Sequence, residues 1–218
     1  MTPTQTTYEL VMWDFGGVFT GSPFHATGDY AAELGTTRQE LADVVLGYGM
    51  PDGDHPWHRL ERGELSMVDA VGLVAEQATS AGLEGFDLGA FFTSMGDLDA
   101  VDRRESMLAV VARISAAGVR NVMVTNNIAE MADSWRRLIP DGLFDDVIDS
   151  STVGVRKPDP AIYELALSAG AVVAPERAVF LDDHLANVEA ARALGITGIL
   201  VGADPLDAAH ELLALLQI

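Results

Sequence analysis

Short apolar runs alternate with helical spacings over most of this chain, and one long stretch breaks the alternation. Tyr8–Trp13 reads as a first strand. From about Asp99 the pattern is regular: helix Arg103–Ala117 stopped by Gly118, strand Arg120–Val124, helix Ala129–Leu138, and a short strand at Asp146–Ile148. Helix Pro160–Ala169, strand Ala178–Leu181, helix Leu185–Leu194, strand Gly198–Val201 and helix Leu206–Leu216 follow. Strands alternating with helices predict the α/β class, with a parallel sheet covered on both faces. Between residues 22 and 96 there is no strand signal. The spacing there predicts a helix opened by Ser22-Pro23 and stopped at Gly35, a helix over Thr37–Leu46, a Gly/Pro/Asp-rich loop at Tyr48–His55, and short helices at Trp57–Arg62, Ser66–Ala81 and Phe86–Met95. The expected organisation is a core of residues 1–21 and 97–218, with residues 22–96 inserted after the first strand as a small helical cap over the sheet's C-terminal edge.

Composition narrows the class. At 218 residues and 49% apolar content the chain can bury a sizeable core and is expected to be globular. Its apolar runs are strand-length, too short to span a membrane, and residues 1–7 lack the basic start and apolar run of a signal peptide. There is no cysteine, which excludes disulfides, thiolate catalysis and cysteine metal sites and fits a cytoplasmic location. The net charge of −20 repels nucleic acid and anionic membranes, so neither is an expected partner. It also repels an anionic substrate, unless a metal and a few placed cations reverse the local field. A homodimer is left open.

Four groups stand at the ends of the expected strands. Asp14 follows Leu10-Val11-Met12-Trp13 and precedes Phe15-Gly16-Gly17-Val18. A carboxylate at the C-terminal tip of a buried strand lies where open α/β sheets place their ligands, although a lone Asp also commonly caps a turn. Thr125 ends Val122-Met123-Val124 and offers a hydroxyl beside the backbone of Asn126, suited to a phosphate oxygen. Asn127 is the alternative helix cap there. Lys157, in Arg156-Lys157-Pro158-Asp159-Pro160, is a point charge on a loop stiffened by two prolines. Arg156 is a candidate substrate contact or one half of an ion pair with a surface carboxylate. Asp182-Asp183 close Val179-Phe180-Leu181, and adjacent carboxylates are costly without a cation. Their oxygens suit Mg²⁺, with Asn187 placed to orient a ligand. His25, Phe24, Trp57, His58, Arg59 and Arg62 are candidates to face a substrate from the inserted segment, with Trp57 and Leu60 better suited to that segment's own core.

As a set, DFGGV at 14–18, VTNN at 124–127, RKPDP at 156–160 and FLDDHLANVEAA at 180–191 resemble the haloacid dehalogenase-like (HAD) hydrolase superfamily. The start and end motifs are most similar to its phosphatase-like branch, which includes the N-terminal domain of soluble epoxide hydrolases and small sugar-phosphate phosphatases. The resemblance implies a Rossmann-like core, a cap after the first strand, and a Mg²⁺-dependent phosphatase of small phosphorylated metabolites. It implies that Asp14 is the nucleophile and that Thr125, the backbone at Asn126 and Lys157 hold the phosphoryl oxygens; Arg156 and His25 remain candidates from their positions to adjoin the substrate. Mg²⁺ would be held by Asp14, the Gly16 carbonyl and Asp183, with Asp182 close by.

One departure stands out. Phosphatases of this superfamily carry a second Asp two residues after the nucleophile as general acid and base, and here that place is Gly16. A main-chain metal ligand survives the change; the proton-transfer role does not. His25, Asp182 or His184 would have to substitute, or the substrate would need a good leaving group, or turnover would be weak. A carbon–halogen hydrolase and a weakly active or non-enzymatic metabolite-binding member are the competing readings. The Asp182-Asp183 pair argues against the first.

Overall fold

The computed structural model describes residues 7–22, 27–94, 101–172 and 174–218. Five strands, β1 (Leu10–Trp13), β2 (Arg120–Thr125), β3 (Asp146–Asp149), β4 (Ala178–Asp182) and β5 (Thr197–Leu200), form one parallel sheet in the order β3-β2-β1-β4-β5. The expected α/β class and parallel sheet are therefore present.

The strands read as continuous apolar runs because both faces of the sheet are covered. On β1, Val11 and Trp13 point to one face, packing with Met107, Val111 and Ile114 of α6 (Val101–Ala116) and Leu212 of α11 (Pro205–Leu216). Leu10 and Met12 point to the other, with Ile162, Tyr163 and Ala166 of α9 (Pro160–Ala169) and Ala191 of α10 (Leu185–Ala193). The Trp13 indole N–H is not wasted in this core: it donates to Asn121 Oδ1 at 2.9 Å.

Between β1 and α6 the described residues form helices and no strand: α1 (Gly28–Glu33), α2 (Arg38–Leu46), α3 (Pro56–Glu61), α4 (Met67–Ser80) and α5 (Leu88–Ser94). They enclose an apolar cluster that includes Tyr30, Leu41, Val45, Trp57, Leu60, Val74 and Phe91. Thr37 caps α2 in a reciprocal box with Glu40, and Ser66 caps α4. The expected opening at Ser22-Pro23 falls partly on residues outside those described, as does Met95.

After β2 the structure departs from the predicted helix Ala129–Leu138. A single 3₁₀ turn, Ala129–Met131, leads into the short α7 (Ala132–Arg136). Of these residues only Trp135 is buried, so no apolar stripe holds a longer helix together. Asn127 does not cap it. Its amide donates to Ser150 Oγ and its side chain to Asp149, tying this loop to the end of β3 and to α8 (Ser150–Val153), a helix the sequence pattern did not announce.

Polar contacts between sequence-distant groups fasten the helical segment to the sheet layer. Ser150 Oγ donates to the Glu61 carbonyl at 2.6 Å, and the Met67 amide donates to Glu130 at 2.8 Å. Gly63 has a positive φ of 70°, and a Cβ there would come within 2.6 Å of the Ser151 carbonyl oxygen. Arg156 donates to Glu61 Oε2 at 2.6 Å and to Asp52 at 3.3 Å, while the other Glu61 oxygen accepts from Trp57 Nε1. Its main partner is thus a buried carboxylate rather than the surface one expected. Among the described residues no helix is long and apolar enough to cross a membrane.

Two outcomes follow from this buried charge network. Arg156→Met should destabilise the fold by about 3 kcal/mol, because Glu61 is left buried and unpaired. Adding Glu61→Met should restore part of that loss, as read by urea unfolding. His58 donates from Nε2 to the Gly47 carbonyl, and burial, then the charge of Arg156, lowers its pKa to about 3 from the ordinary 6.5. The unfolded chain therefore binds a proton there that the native chain refuses. Stability should be full above pH 6.5 and fall toward about pH 3, with His58 contributing a slope near 1.4 kcal/mol per pH unit. His58→Leu should flatten urea-measured stability between pH 4 and 6 by that amount.

Candidate active site

The sheet order fixes where a ligand can sit. From β1 the chain proceeds to β2 on one side, and β4 pairs on the other, so the C-terminal end of β1 is the topological switch point. Asp14 is the residue after β1. Its amide donates to the Leu181 carbonyl at 2.9 Å, extending the ladder one step and holding the carboxylate at the strand tip. It is 8% exposed.

Lys157 is the single lysine of the chain and is 1% exposed. Asn126 grips its backbone at both ends, accepting from the Lys157 amide at 2.8 Å and donating to its carbonyl at 3.0 Å. Asp159 caps α9 two residues on, with Pro160 in the first turn. A loop fixed on both sides presents the ammonium 2.6 Å from Asp14 Oδ1 and 2.7 Å from Asp182 Oδ2.

Asp182 ends β4 and is fully buried. Its oxygens receive hydrogen bonds from Lys157, from the His184 amide and, at 3.0 Å each, from Asn187 Nδ2. Asn187 therefore orients Asp182, not Asp183. Asp183 is partly exposed and lies over Gly17, where an added Cβ would come within 2.1 Å of Oδ2. Gly17 also has φ of 71°, so both space and conformation demand glycine. Gly16 differs: a Cβ there meets no atom within 4 Å. Thr125 is buried at the end of β2, its hydroxyl reaching the Asn126 carbonyl only at 3.5 Å, the outer limit of a hydrogen bond.

The electrostatics show a cluster short of positive charge. Burial holds the Asp14 carboxyl well above its usual range; Lys157 pulls it down, and Asp182 and Asp183 push it up. Asp183 is pushed up to about 6 by burial and then by Asp182. Burial opposes the Lys157 ammonium, yet Asp14 and Asp182 outweigh it and raise the lysine above its ordinary value.

Asp14, Asp182 and Asp183 each offer an oxygen, and these atoms lie within 4.8 Å of one another. Hard oxygen donors at that spacing fit a divalent cation such as Mg²⁺. The Ser22 hydroxyl adjoins Asp183 and favours its charged form.

Other candidates fall elsewhere. His25 and Phe24 lie outside the described residues. Trp57 and Leu60 join the helical segment's apolar cluster, His58 is bonded to Gly47, and Arg59 and Arg62 pair with Glu64, Arg62 also with Asp52. The guanidinium of Arg156 is taken by Glu61 and Asp52. Sequence reasoning placed Tyr48 in a loop and gave it no role. The structure sets its ring against His184, tilted by 39° at 4.5 Å between centroids, next to the acid pair.

Comparison with known proteins agrees with this geometry. The family model of the haloacid dehalogenase-like hydrolases matches residues 8–195. A sesquiterpene phosphatase of Aspergillus oryzae is 30% identical over 202 residues, covering 89% of this chain and 90% of that protein. Bifunctional epoxide hydrolase 2 of Rattus norvegicus is 31% identical over 199 residues, 84% of this chain and 35% of that protein. Acyl-CoA dehydrogenase family member 10 of Mus musculus is 27% identical over 96% of this chain, which spans only 19% of its length. Among solved structures, a predicted HAD-like hydrolase from Porphyromonas gingivalis superposes with a TM-score of 0.61 at 22% identity, covering 95% of this chain and 98% of that one. An L-2-haloacid dehalogenase gives 0.62 at 18%, covering 98% of this chain and 100% of that one. The match of the family model over nearly the whole chain, with its motifs gathered on one sheet edge, makes this protein a member of the haloacid dehalogenase-like hydrolase family.

Proposed function

We propose that the protein is a Mg²⁺-dependent phosphatase of small phosphorylated metabolites that works through Asp14. One observation carries the reading: a buried ammonium bridges Asp14 and Asp182 while Asp183 stands within reach of the same point. Such a cluster can receive a phosphoryl group only if cations offset its charge. Phosphatase relatives support the choice of phosphorus over carbon as the electrophile.

In this reading an Asp14 oxygen attacks phosphorus, and the bond to the ester oxygen breaks as the aspartyl-phosphate forms. The leaving alkoxide takes a proton from solvent or a nearby group. Water then attacks the aspartyl-phosphate, releasing inorganic phosphate and restoring the carboxylate. Thr125 and the backbone at Asn126 would bind phosphoryl oxygens beside Lys157. Asp14, Asp183 and the Gly16 carbonyl would hold Mg²⁺, which when bound supplies charge neutralisation and orientation. Asp182, already occupied by Lys157, Asn187 and the His184 amide, would position the lysine. Residues 22–96 would be the cap that excludes water.

Phosphate release from an aryl phosphate should require Mg²⁺ and fall by about 10³-fold or more in Asp14→Asn. Equal rates in the variant and wild type would assign the activity to another site. Gly16 offers a second measurement. Wild type should turn over aryl phosphates faster than alkyl phosphates, since Gly16 supplies no carboxyl to protonate a poor leaving group. Gly16→Asp, for which the structure has room, should raise alkyl phosphate turnover by up to about 10²-fold and aryl turnover less.

A further inference from the structure

In-line displacement places the leaving oxygen opposite the attacking Asp14 oxygen. Asp14 sits at the tip of β1, so the organic part of a bound ester projects away from the sheet, toward the helical segment. Among the described residues, Tyr48 is an aromatic side chain that this segment brings to the carboxylates. Gly47, in the left-handed conformation, ends α2 and lies against His55 and His58, where an added Cβ would meet His58 Nε2 at 2.4 Å. The turn that delivers Tyr48 is therefore tightly seated. Its ring rests on His184, adjacent to Asp183.

Around this wall carboxylates outnumber cations among the described residues. Burial raises the Tyr48 phenol well above its usual range, and the carboxylates of Asp183, Glu61, Asp14 and Asp182 raise it further. The nearby cations are already committed: Lys157 to Asp14 and Asp182, Arg156 to Glu61 and Asp52, Arg62 to Asp52 and Glu64. Three site carboxylates face one ammonium, and a divalent cation would bring that group only to neutrality. A dianionic phosphoryl group would then leave the group net negative, so a second anion on the substrate would meet repulsion.

We propose that the Tyr48–His184 pair is the specificity-determining wall of the site, and that it selects phosphate monoesters whose organic part is uncharged and flat or apolar, against those bearing a second anionic group. This rests on the phosphatase reading and names its substrate class.

The test compares phenyl phosphate with 4-carboxyphenyl phosphate, whose leaving groups are similar and whose charges differ. The wild-type ratio of kcat/KM should favour phenyl phosphate by about tenfold or more. Tyr48→Phe should keep that ratio, and Tyr48→Arg or Tyr48→Lys should bring it close to one. A merely structural role would lower both rates together and leave the ratio unmoved, which overturns the assignment of Tyr48. Calorimetry with Asp14→Asn gives a second readout: phenyl phosphate should bind more tightly by a similar factor. A wild-type ratio near one, with release that Asp14→Asn abolishes, sinks this inference and leaves the phosphatase reading standing. Neither turnover nor binding of either ester, with Mg²⁺ present, brings down both.

Discussion

A lysine ammonium buried between the carboxylates of two neighbouring strand ends is the interaction on which the site depends. Each of these charges alone would be costly to remove from water. Together they hold one another: Lys157 touches Asp14 and Asp182, and Asp182 is further fixed by Asn187 and the His184 amide. The arrangement needs β1 and β4 to be adjacent and parallel, in register at Trp13 and Leu181, so that residues 14 and 182 end side by side. It also needs the loop before α9 to approach the same point, which Asn126 secures from the end of β2. The sheet order is thus a condition of the chemistry, and the arrangement leaves a deficit of positive charge that a divalent ion fits.

Much of this could be read from local signals. An apolar run closed by an acid marks both a strand and its tip, which is why Asp14 and Asp182 were placed correctly at the ends of β1 and β4. Pro160 after Asp159 fixed the start of α9, since a proline in the first turn and an acidic cap are signals within three residues. What failed was what no local pattern encodes. Arg156 and Glu61 are separated by 95 positions, and neither Glu61 nor Asp52 carries any mark of the guanidinium it receives. Asn127 looked like a helix cap because the helix after it was expected to be longer, and α7 is short because Trp135 is its one anchored side chain. Tyr48 sat in a stretch rich in glycine and proline, where the pattern promises only a turn. Its place beside the acid pair comes from a ring contact across the fold.

Arg156 and Lys157 are neighbours in sequence with opposite duties. The lysine serves the strand tips, and the arginine reaches the other way to the helical segment through Glu61 and Asp52. The backbone between them is held by Asn126. The ion pair that ties the helical segment down and the ammonium beside Asp14 thus hang from adjacent residues of one loop.

The solitary lysine carries a chemical corollary. Every other cationic side chain capable of offsetting the chain's acids is a guanidinium, and guanidinium groups do not acylate under conditions that acylate amines. Side-chain acetylation, carbamylation or isopeptide attachment on this chain has a single acceptor, and that nitrogen is shut inside the carboxylate cluster. Amine-directed modification must then either leave the folded side chains untouched or strike the carboxylate cluster itself, with no benign surface adduct on a side chain in between.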